Sequence, residues 1–383
     1  MKTKSLFLLT ITMLALAACS ENEITEQNPE VNKPIGFDTY ASVQTRRQET
    51  DIEFIKQHGL GVMAYKTTGD YSTTGAKEEF MKTQRVTWDK TNSKWEYSPV
   101  KFWPAGTDEK VSFFAYAPYT DGGPTYNTTL TSADASNNPK VNLTLQTFQY
   151  YLHDLVVSNP DDATNGTMNM SSGTVNFKFQ HPLTRVAMEA KTGTDISKST
   201  DTKVFITGVS LIHNNILNSK GTLDMKTLTW ADNKTDYIKS PYVLQAFSDT
   251  TPDCGCLNLT KADFAGYKEL SLDISAGGTN TTSLFIKSVG KDFYLFLLPV
   301  NNGTGTANAG DVKIKIAYDI VNWTSATTHI KSSVEKEVSL PAGVFKKGAA
   351  HRFIFTIGLN AITFDVDTDA SWGAETDNSI TVQ

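Results

Sequence analysis

The residues with the clearest metal-binding pattern are aspartates near the end of the chain. Asp365, Asp367 and Asp369 stand at alternate positions, as carboxylates do at the start of a calcium-binding loop. The sixth position of such a loop requires glycine and the twelfth glutamate, but here they are Ala370 and Thr376. The acids also alternate with apolar residues, which is typical of a strand with one solvated face, namely Ile362, Phe364 and Val366. We therefore predict a strand and no metal site.

Two of the three cysteines form the string Cys254-Gly255-Cys256, in a turn-rich segment. They are too close for an easy disulfide and lack the second pair that a zinc site needs, so an exposed loop is the favoured interpretation. The chain contains none of the G-x-S-x-G, P-loop, G-x-G-x-x-G or H-E-x-x-H motifs. We predict that the protein is not an enzyme. A hydrolase whose carboxylates meet only in space stays a remote alternative.

The N-terminus has the composition of an export signal. Lys2 and Lys4 precede a mostly apolar run that is too short to span a bilayer, and it ends in Ala17-Ala18-Cys19. This ending resembles a lipobox, in which the cysteine is acylated and becomes the first residue of the mature protein. We predict a signal peptide over 1–18, lipid on Cys19 as the only attached group, and a polar tether over 19–34 that holds the protein at the outer membrane. Ordinary signal-peptidase cleavage nearby is the alternative.

Charge and length limit the partners and the number of domains. The net charge is −6 and the isoelectric point about 5.6, which argues against nucleic acid as a partner. The 383 residues, less the signal, predict two domains, with three as the alternative. Turn-forming residues over 159–173 suggest a boundary, and we place the domains at 35–170 and 171–383.

Strand patterns dominate both halves. In the first half we predict strands at 35–43, 60–65, 85–88, 95–102, 111–116, 141–145 and 155–158, with a long loop over 119–138. In the second half we predict them at 174–190, 203–212, 221–230, 270–274, 284–288, 293–298, 312–318, 334–340, 352–359 and 362–366. Many strands with one solvent-exposed face and one apolar face predict two sheets packed against each other. The predicted fold class is therefore all-β, with two tandem β-sandwich domains.

Aromatic residues offer a second source of function, because they can stack on sugars. Most of the prominent ones lie in or beside predicted strands, which favours core or sheet-edge positions: Trp88, Trp95, Trp103, Tyr116, Trp230, Trp323 and Trp372.

Several short strings, in their order along the chain, resemble a known family. After Cys19 come Pro34-Ile35-Gly36-Phe37 and Thr45-Arg46-Arg47, then 100–104, 111–118, 177–186 and 362–364 with Trp372. Together they are similar to fimbrillin-like pilins and related lipoproteins of Bacteroidota, the subunits of type V pili. The resemblance implies two transthyretin-like domains and other pilin subunits as partners. It also implies an arginine-specific maturation protease that cuts after Arg46 or Arg47, and a groove that then accepts a neighbour's strand.

The residues of the first predicted strand suit such an exchange. One face of that strand carries Ile35, Phe37, Thr39, Ala41 and Val43, so removing it would uncover core side chains and unpaired backbone groups.

A donor strand is predicted in 378–383, where Ile380 and Val382 alternate with polar residues. The alternatives are an anchor or tip pilin, or a surface lipoprotein that never polymerises. The latter would bind a glycan or host ligand through loop aromatics such as Tyr119, Tyr126 or Trp323, and Arg46 and Arg47 would then be ordinary solvated side chains.

Overall fold

The computed structural model describes residues 33–40, 51–119, 128–131, 138–145, 154–193, 199, 201–231, 235–246, 282–283, 294–325, 329–358 and 362–369. Apart from one short α-helix and a 3₁₀ turn, the regular structure of these residues is entirely β. The predicted all-β class is thereby confirmed, while the transthyretin-like detail stays a prediction.

The strands are numbered in chain order. In the first half they are β1 (Gly36–Tyr40), β2 (Leu60–Thr68), β3 (Glu78–Asp89), β4 (Lys94–Glu96), β5 (Glu109–Ala117), β6 (Thr128–Thr131), β7 (Lys140–Thr144), β8 (Val156–Ser158) and β9 (Thr174–Gln180). In the second half they are β10 (Thr184–Thr192), β11 (Thr202–His213), β12 (Lys220–Asp224), β13 (Thr229–Ala231), β14 (Tyr242–Ala246), β15 (Thr282–Ser283), β16 (Leu295–Leu297), β17 (Val312–Trp323), β18 (His329–Ser339), β19 (Ala350–Ile357) and β20 (Ile362–Asp369). The helix, α1, spans Ile52–His58.

The first sheet has seven strands in the order β1-β9-β8-β5-β2-β3-β4. Its two end strands, β1 and β4, contact each other, so the sheet curls around its own core. Strands β2 and β5 are buried almost throughout because both of their faces are covered. Val62 and Phe113 face the core inside the curl, whereas Tyr65 and Phe114 face a second, larger core. Nearly continuous burial of this kind explains why their sequences read as unbroken apolar runs.

Three further sheets surround the larger core. One contains β15-β10-β19-β20 with β16 also on β10, another has the order β14-β11-β17-β18, and the third has the order β13-β12-β7-β6. Strands β10 and β19 are parallel, with Arg185 opposite Ala350 at one end and Thr192 opposite Ile357 at the other. Ile314 and Phe353, from two of these sheets, are fully buried in this core.

The strand predictions hold best where alternation is strong, and fail at turns. The predicted strand over 174–190 is two strands, because β9 ends before a loop at 181–183 and β10 then enters another sheet. Residues 221–230 likewise form the hairpin of β12 and β13. Strand β6 lies within the predicted loop over 119–138, and α1 and β14 were not predicted. The predicted strands at 270–274 and 284–288 lie outside the described residues.

Strand pairing crosses the predicted domain boundary in both directions. Strand β9, which follows residue 170, belongs to the seven-stranded sheet of the first half. Conversely, β7 of the first half pairs with β12 of the second, from Lys220 opposite Thr144 to Asp224 opposite Lys140. The division into 35–170 and 171–383 stays a prediction, and sheets join the two segments.

Candidate functional site

Strand β1 is held between two different neighbours. On one side it pairs with β9 in parallel, from Gly36 opposite Thr174 to Tyr40 opposite Lys178. On the other side Pro34 forms an antiparallel bridge with Phe102. β1 is therefore the end strand of its sheet and also closes the gap towards the segment that follows β4.

Two backbone hydrogen bonds join the start of β1 to this second neighbour. The Ile35 N–H donates to the carbonyl of Lys101 at 2.9 Å, and the Trp103 N–H donates to the carbonyl of Lys33 at 3.0 Å. The Tyr97 hydroxyl adds a third bond to this closure, donating to the Ile35 carbonyl at 2.8 Å. Removing β1 would leave the backbone groups on both sides without these partners.

Alternate side chains of β1 enter the core inside the curled sheet. Ile35, Phe37 and Thr39 are buried, while Gly36 and Asp38 between them are exposed. This confirms the predicted alternation for the described part of the strand. A segment with one wholly buried face in this position contributes side chains to the core of the first sheet and is not a surface loop.

Phe37 is the largest of these side chains and sits among aromatic rings. Its ring stacks on Phe177 of β9 at 5.6 Å between centroids, and lies 5.0 Å from Tyr97 and 6.1 Å from Phe113. Such pairs add to the burial of apolar area. The slot for Phe37 is thus walled by side chains that belong to three other parts of the first sheet.

Polar side chains at the rim donate to backbone carbonyls. Burial raises the pKa of the Tyr97 hydroxyl, which keeps it protonated and able to donate. The indole Nε1 of Trp103 donates to the Gly173 carbonyl at 3.1 Å. Thr39 differs from its neighbours, because its buried Oγ1 has no hydrogen-bond partner among the described residues. The site is therefore built to hold an extended apolar segment, and its chemistry is packing.

Two large apolar side chains stand exposed beside this rim. Val100 and Phe102 lie on the segment that bridges to β1, and Phe102 is 50% exposed. The sequence analysis singled out the string over 100–104, but only as part of a resemblance. The signal that could have placed it is its own alternation, with Lys101 between the two exposed residues and Trp103 directly after them.

Many of the predicted site residues lie outside the described residues. These are Cys19, Ala41, Val43, Arg46, Arg47, Tyr126, Cys254, Cys256, Trp372, Ile380 and Val382. The predicted lipidation, cleavage and donor-strand sites therefore stay predictions. Arg46 and Arg47 fall between the end of β1 and the start of α1.

The aspartates at 365, 367 and 369 lie in β20, so the predicted strand there is confirmed at the level of the backbone. The described part of the chain contains no group of three or more His, Cys, Asp or Glu side chains suited to a metal. Nor does any helix within it have the length and apolar character to cross a membrane.

The aromatic residues occupy mostly structural positions, as the strand patterns indicated. Trp95, Trp103, Tyr116 and Trp230 are buried. Tyr119, a candidate sugar-stacking residue, packs partly buried against Tyr116, at 6.4 Å between centroids, and the Arg85 guanidinium lies 5.1 Å from its ring centroid. Trp323 ends β17.

Comparison with known proteins agrees with this architecture. Residues 45–372 match the family model described as fimbrillin-like. The chain is 38% identical to fimbrium subunit Fim1C of Phocaeicola vulgatus, and the alignment covers 100% of both chains. It also resembles the crystal structure of a fimbrial protein from Bacteroides vulgatus, with a TM-score of 0.70 and 31% identity over 88% of this chain and 99% of the other. The chain therefore belongs to the fimbrillin-like family of fimbrial subunits.

Proposed function

We propose that this subunit is exported as a lipoprotein through Cys19, cut after Arg46 or Arg47, and then polymerised by strand exchange at the place of β1. As a fimbrial subunit it acts in a cell-surface fimbrium with other pilin subunits. The observation that carries the finer proposal is the position of β1, an end strand that is covalently continuous with the cleavable segment and fills a core slot.

Release of β1 would expose a large apolar surface. The burial of Ile35 and Phe37 contributes roughly 1.5–3 kcal/mol each, and the rings around Phe37 would meet water once it left. The unpaired backbone of β9 and of 101–103 would lie beside them. A groove with these two properties binds an extended strand, because main-chain hydrogen bonds supply affinity and the pockets fix register. We propose that the occupant is the strand around Ile380 and Val382 of a neighbouring subunit.

Cleavage is the step that makes exchange feasible. While 41–50 tethers β1 to α1, an expelled strand returns to its own slot at high effective concentration. After a cut at Arg46 or Arg47 the strand is lost to bulk solution. Treating the purified precursor with an arginine-specific protease should then give ladders that resist SDS, and the Arg46→Gln/Arg47→Gln variant should give none.

A disulfide that locks β1 tests the exchange itself. Asp38 and Asn176 are directly opposite in the β1–β9 pair and have outward side chains, so cysteines there suit a disulfide. Cys19, Cys254 and Cys256 are replaced by serine in all proteins of this experiment. The oxidised Asp38→Cys/Asn176→Cys protein should be cut and yet form no ladder, and dithiothreitol should restore polymerisation.

The matched control places a disulfide in a different sheet. Lys313 and Ser339 are opposite in the β17–β18 pair, and the Lys313→Cys/Ser339→Cys protein should polymerise whether oxidised or reduced. Ladders from the oxidised β1-locked protein would refute strand exchange at this site. A protein that is cut and stays monomeric would favour a non-polymerising surface lipoprotein.

A further inference from the structure

Strand β18 is a long edge strand and belongs to a different sheet from the β1 groove. It has eleven residues and ends the sheet β14-β11-β17-β18. Among the described residues no strand pairs with its far edge. Its Ile330 is 62% exposed, one of three exposed large apolar side chains in the described part of the chain.

The two faces of β18 have different characters. Ile330, Val334 and Val338 share the face of the buried β17 residues Ile314 and Tyr318, and form an apolar stripe that Ser332 and Lys336 interrupt. Val334 and Val338 pack partly against the larger core, whereas Ile330 extends the stripe into solvent.

The other face is charged and already ordered by β17. Glu337 pairs with Lys313 at 3.3 Å, Glu335 pairs with Lys315 at 2.8 Å, and Lys331 lies 3.4 Å from Asp319. These contacts hold the β18 charges in place, yet Lys331, Glu335 and Glu337 keep 44%, 65% and 49% of their side chains exposed. These side chains are therefore both ordered and partly exposed.

From this pattern we infer that β18 is a docking edge for β18 of a second copy of this chain, antiparallel and centred on Val334. In that register, residues equally far before and after Val334 face each other. Lys331 of each copy then lies opposite Glu337 of the other, and Ile330 lies opposite Val338. Opposite charges and apolar pairs directly across two strands both stabilise the pairing.

Neighbouring registers place unfavourable side chains together. Centring the pair on Glu335 brings that carboxylate against its own copy, and centring it on Lys336 does the same for two ammonium groups. Centring it on Ser333 places Ile330 against Lys336. A shift that exchanges the faces would set the apolar stripe against the charged face. Charges on an edge strand usually prevent indiscriminate pairing. Among the registers centred on Ser333 to Lys336, these charges favour the one centred on Val334.

The result is an isologous contact that continues one sheet into the next subunit. The surface is separate from the β1 groove, so the inference does not depend on strand exchange. A single pair of strands makes a small interface, and the contact is therefore expected to be weak and to depend on concentration.

Cysteine cross-linking tests the register in the uncut precursor, where β1 is still in place. Cys19, Cys254 and Cys256 are first replaced by serine. In Val334→Cys the two thiols meet at the symmetry axis. In Ser332→Cys the thiols are four residues out of register, about 13 Å apart along the strand, which is beyond the reach of a disulfide. Val334→Cys should therefore give at least about tenfold more disulfide dimer than Ser332→Cys at equal concentration.

Exposed positions provide a second measurement should Val334→Cys disturb the core. Ser332 and Lys336 face each other in the inferred register, so a mixture of the Ser332→Cys and Lys336→Cys proteins should form the heterodimer. Neither protein alone should dimerise. Equal cross-linking of all variants, or none for either the central variant or the mixture, would overturn the inference. Neither outcome bears on polymerisation after cleavage.

Discussion

The side chain of Phe37 provides the sharpest test of how β1 is held. Only 7% of it is exposed, and it contacts three aromatic rings. Phe37→Ala removes this packing and leaves a cavity, because Phe177 and Phe113 are fixed within their strands. Buried Phe→Ala substitutions cost about 3–5 kcal/mol in the free energy of unfolding, and we expect a value in this range.

The matched control is the same substitution at Phe102, on the segment that bridges to β1. Since that ring is 50% exposed, Phe102→Ala should cost well under half as much, roughly 1 kcal/mol. Urea unfolding of the uncut precursor measures both values. In the protease-cut protein, where only non-covalent contacts retain β1, Phe37→Ala should also speed the loss of the N-terminal peptide. A loss of 3 kcal/mol corresponds to about 150-fold.

Two results would refute the reasoning about the slot. The first is a cost for Phe37→Ala below about 1 kcal/mol, which is the level of an ordinary surface change. The second is an equal cost at Phe37 and Phe102, since it would show that burial in the slot does not decide stability.

Three further predictions concern single positions. Thr39→Val should raise the free energy of unfolding by about 1 kcal/mol in urea titration, because it replaces a buried hydroxyl without a partner by a methyl group; a loss of stability would contradict this. Gly61→Ala should destabilise by about 1–3 kcal/mol in the same assay, because its methyl would lie 2.1 Å from the Tyr116 ring, whereas Gly36→Ala, with nothing within 4 Å, should change little. Burial lowers the pKa of His351 to about 4, from 6.5. As the pH falls, the unfolded chain therefore takes up a proton on His351 before the folded chain does. The contribution of the neutral, buried His351 to the free energy of unfolding is thus complete above pH 6.5 and declines as the pH falls towards 4. Unfolding midpoints of wild type and His351→Gln should converge over that interval, and parallel pH profiles would be the contrary result.

The sequence predicted strands well where one face of the strand is exposed to solvent. In β17 the alternation of Lys313 and Lys315 with Ile314 and Ile316 follows the observed burial, because a half-exposed strand must carry both kinds of side chain. The alternation of Ile35 and Phe37 likewise identified the buried face of β1. These are local properties of the chain, and they can be recognised without knowing which strands pair with each other.

The elements that the sequence did not predict depend on short or distant signals. Helix α1 is only seven residues, too short for a periodic pattern, although Asp51 caps it by accepting from the Phe54 N–H at 2.8 Å. The division between β9 and β10 falls at 181–183, where the short string His181-Pro182 is the only interruption before the buried Leu183 and the next strand. Pairings such as β1 with β9, or β7 with β12, join residues distant in sequence. Nothing in local composition specifies them.

The direction of β1 has a consequence for any polymer built at this site. Because β1 is parallel to β9 and antiparallel to 101–103, its two edges present different hydrogen-bond spacings. A strand entering in the opposite direction would pair antiparallel to β9 and parallel to 101–103, so its hydrogen bonds and side chains would not repeat the register of β1. We therefore expect the slot to favour the chain polarity of β1. Subunits joined head to tail through such an asymmetric contact form an open filament whose two ends are chemically distinct, so growth and capping must occur at different ends.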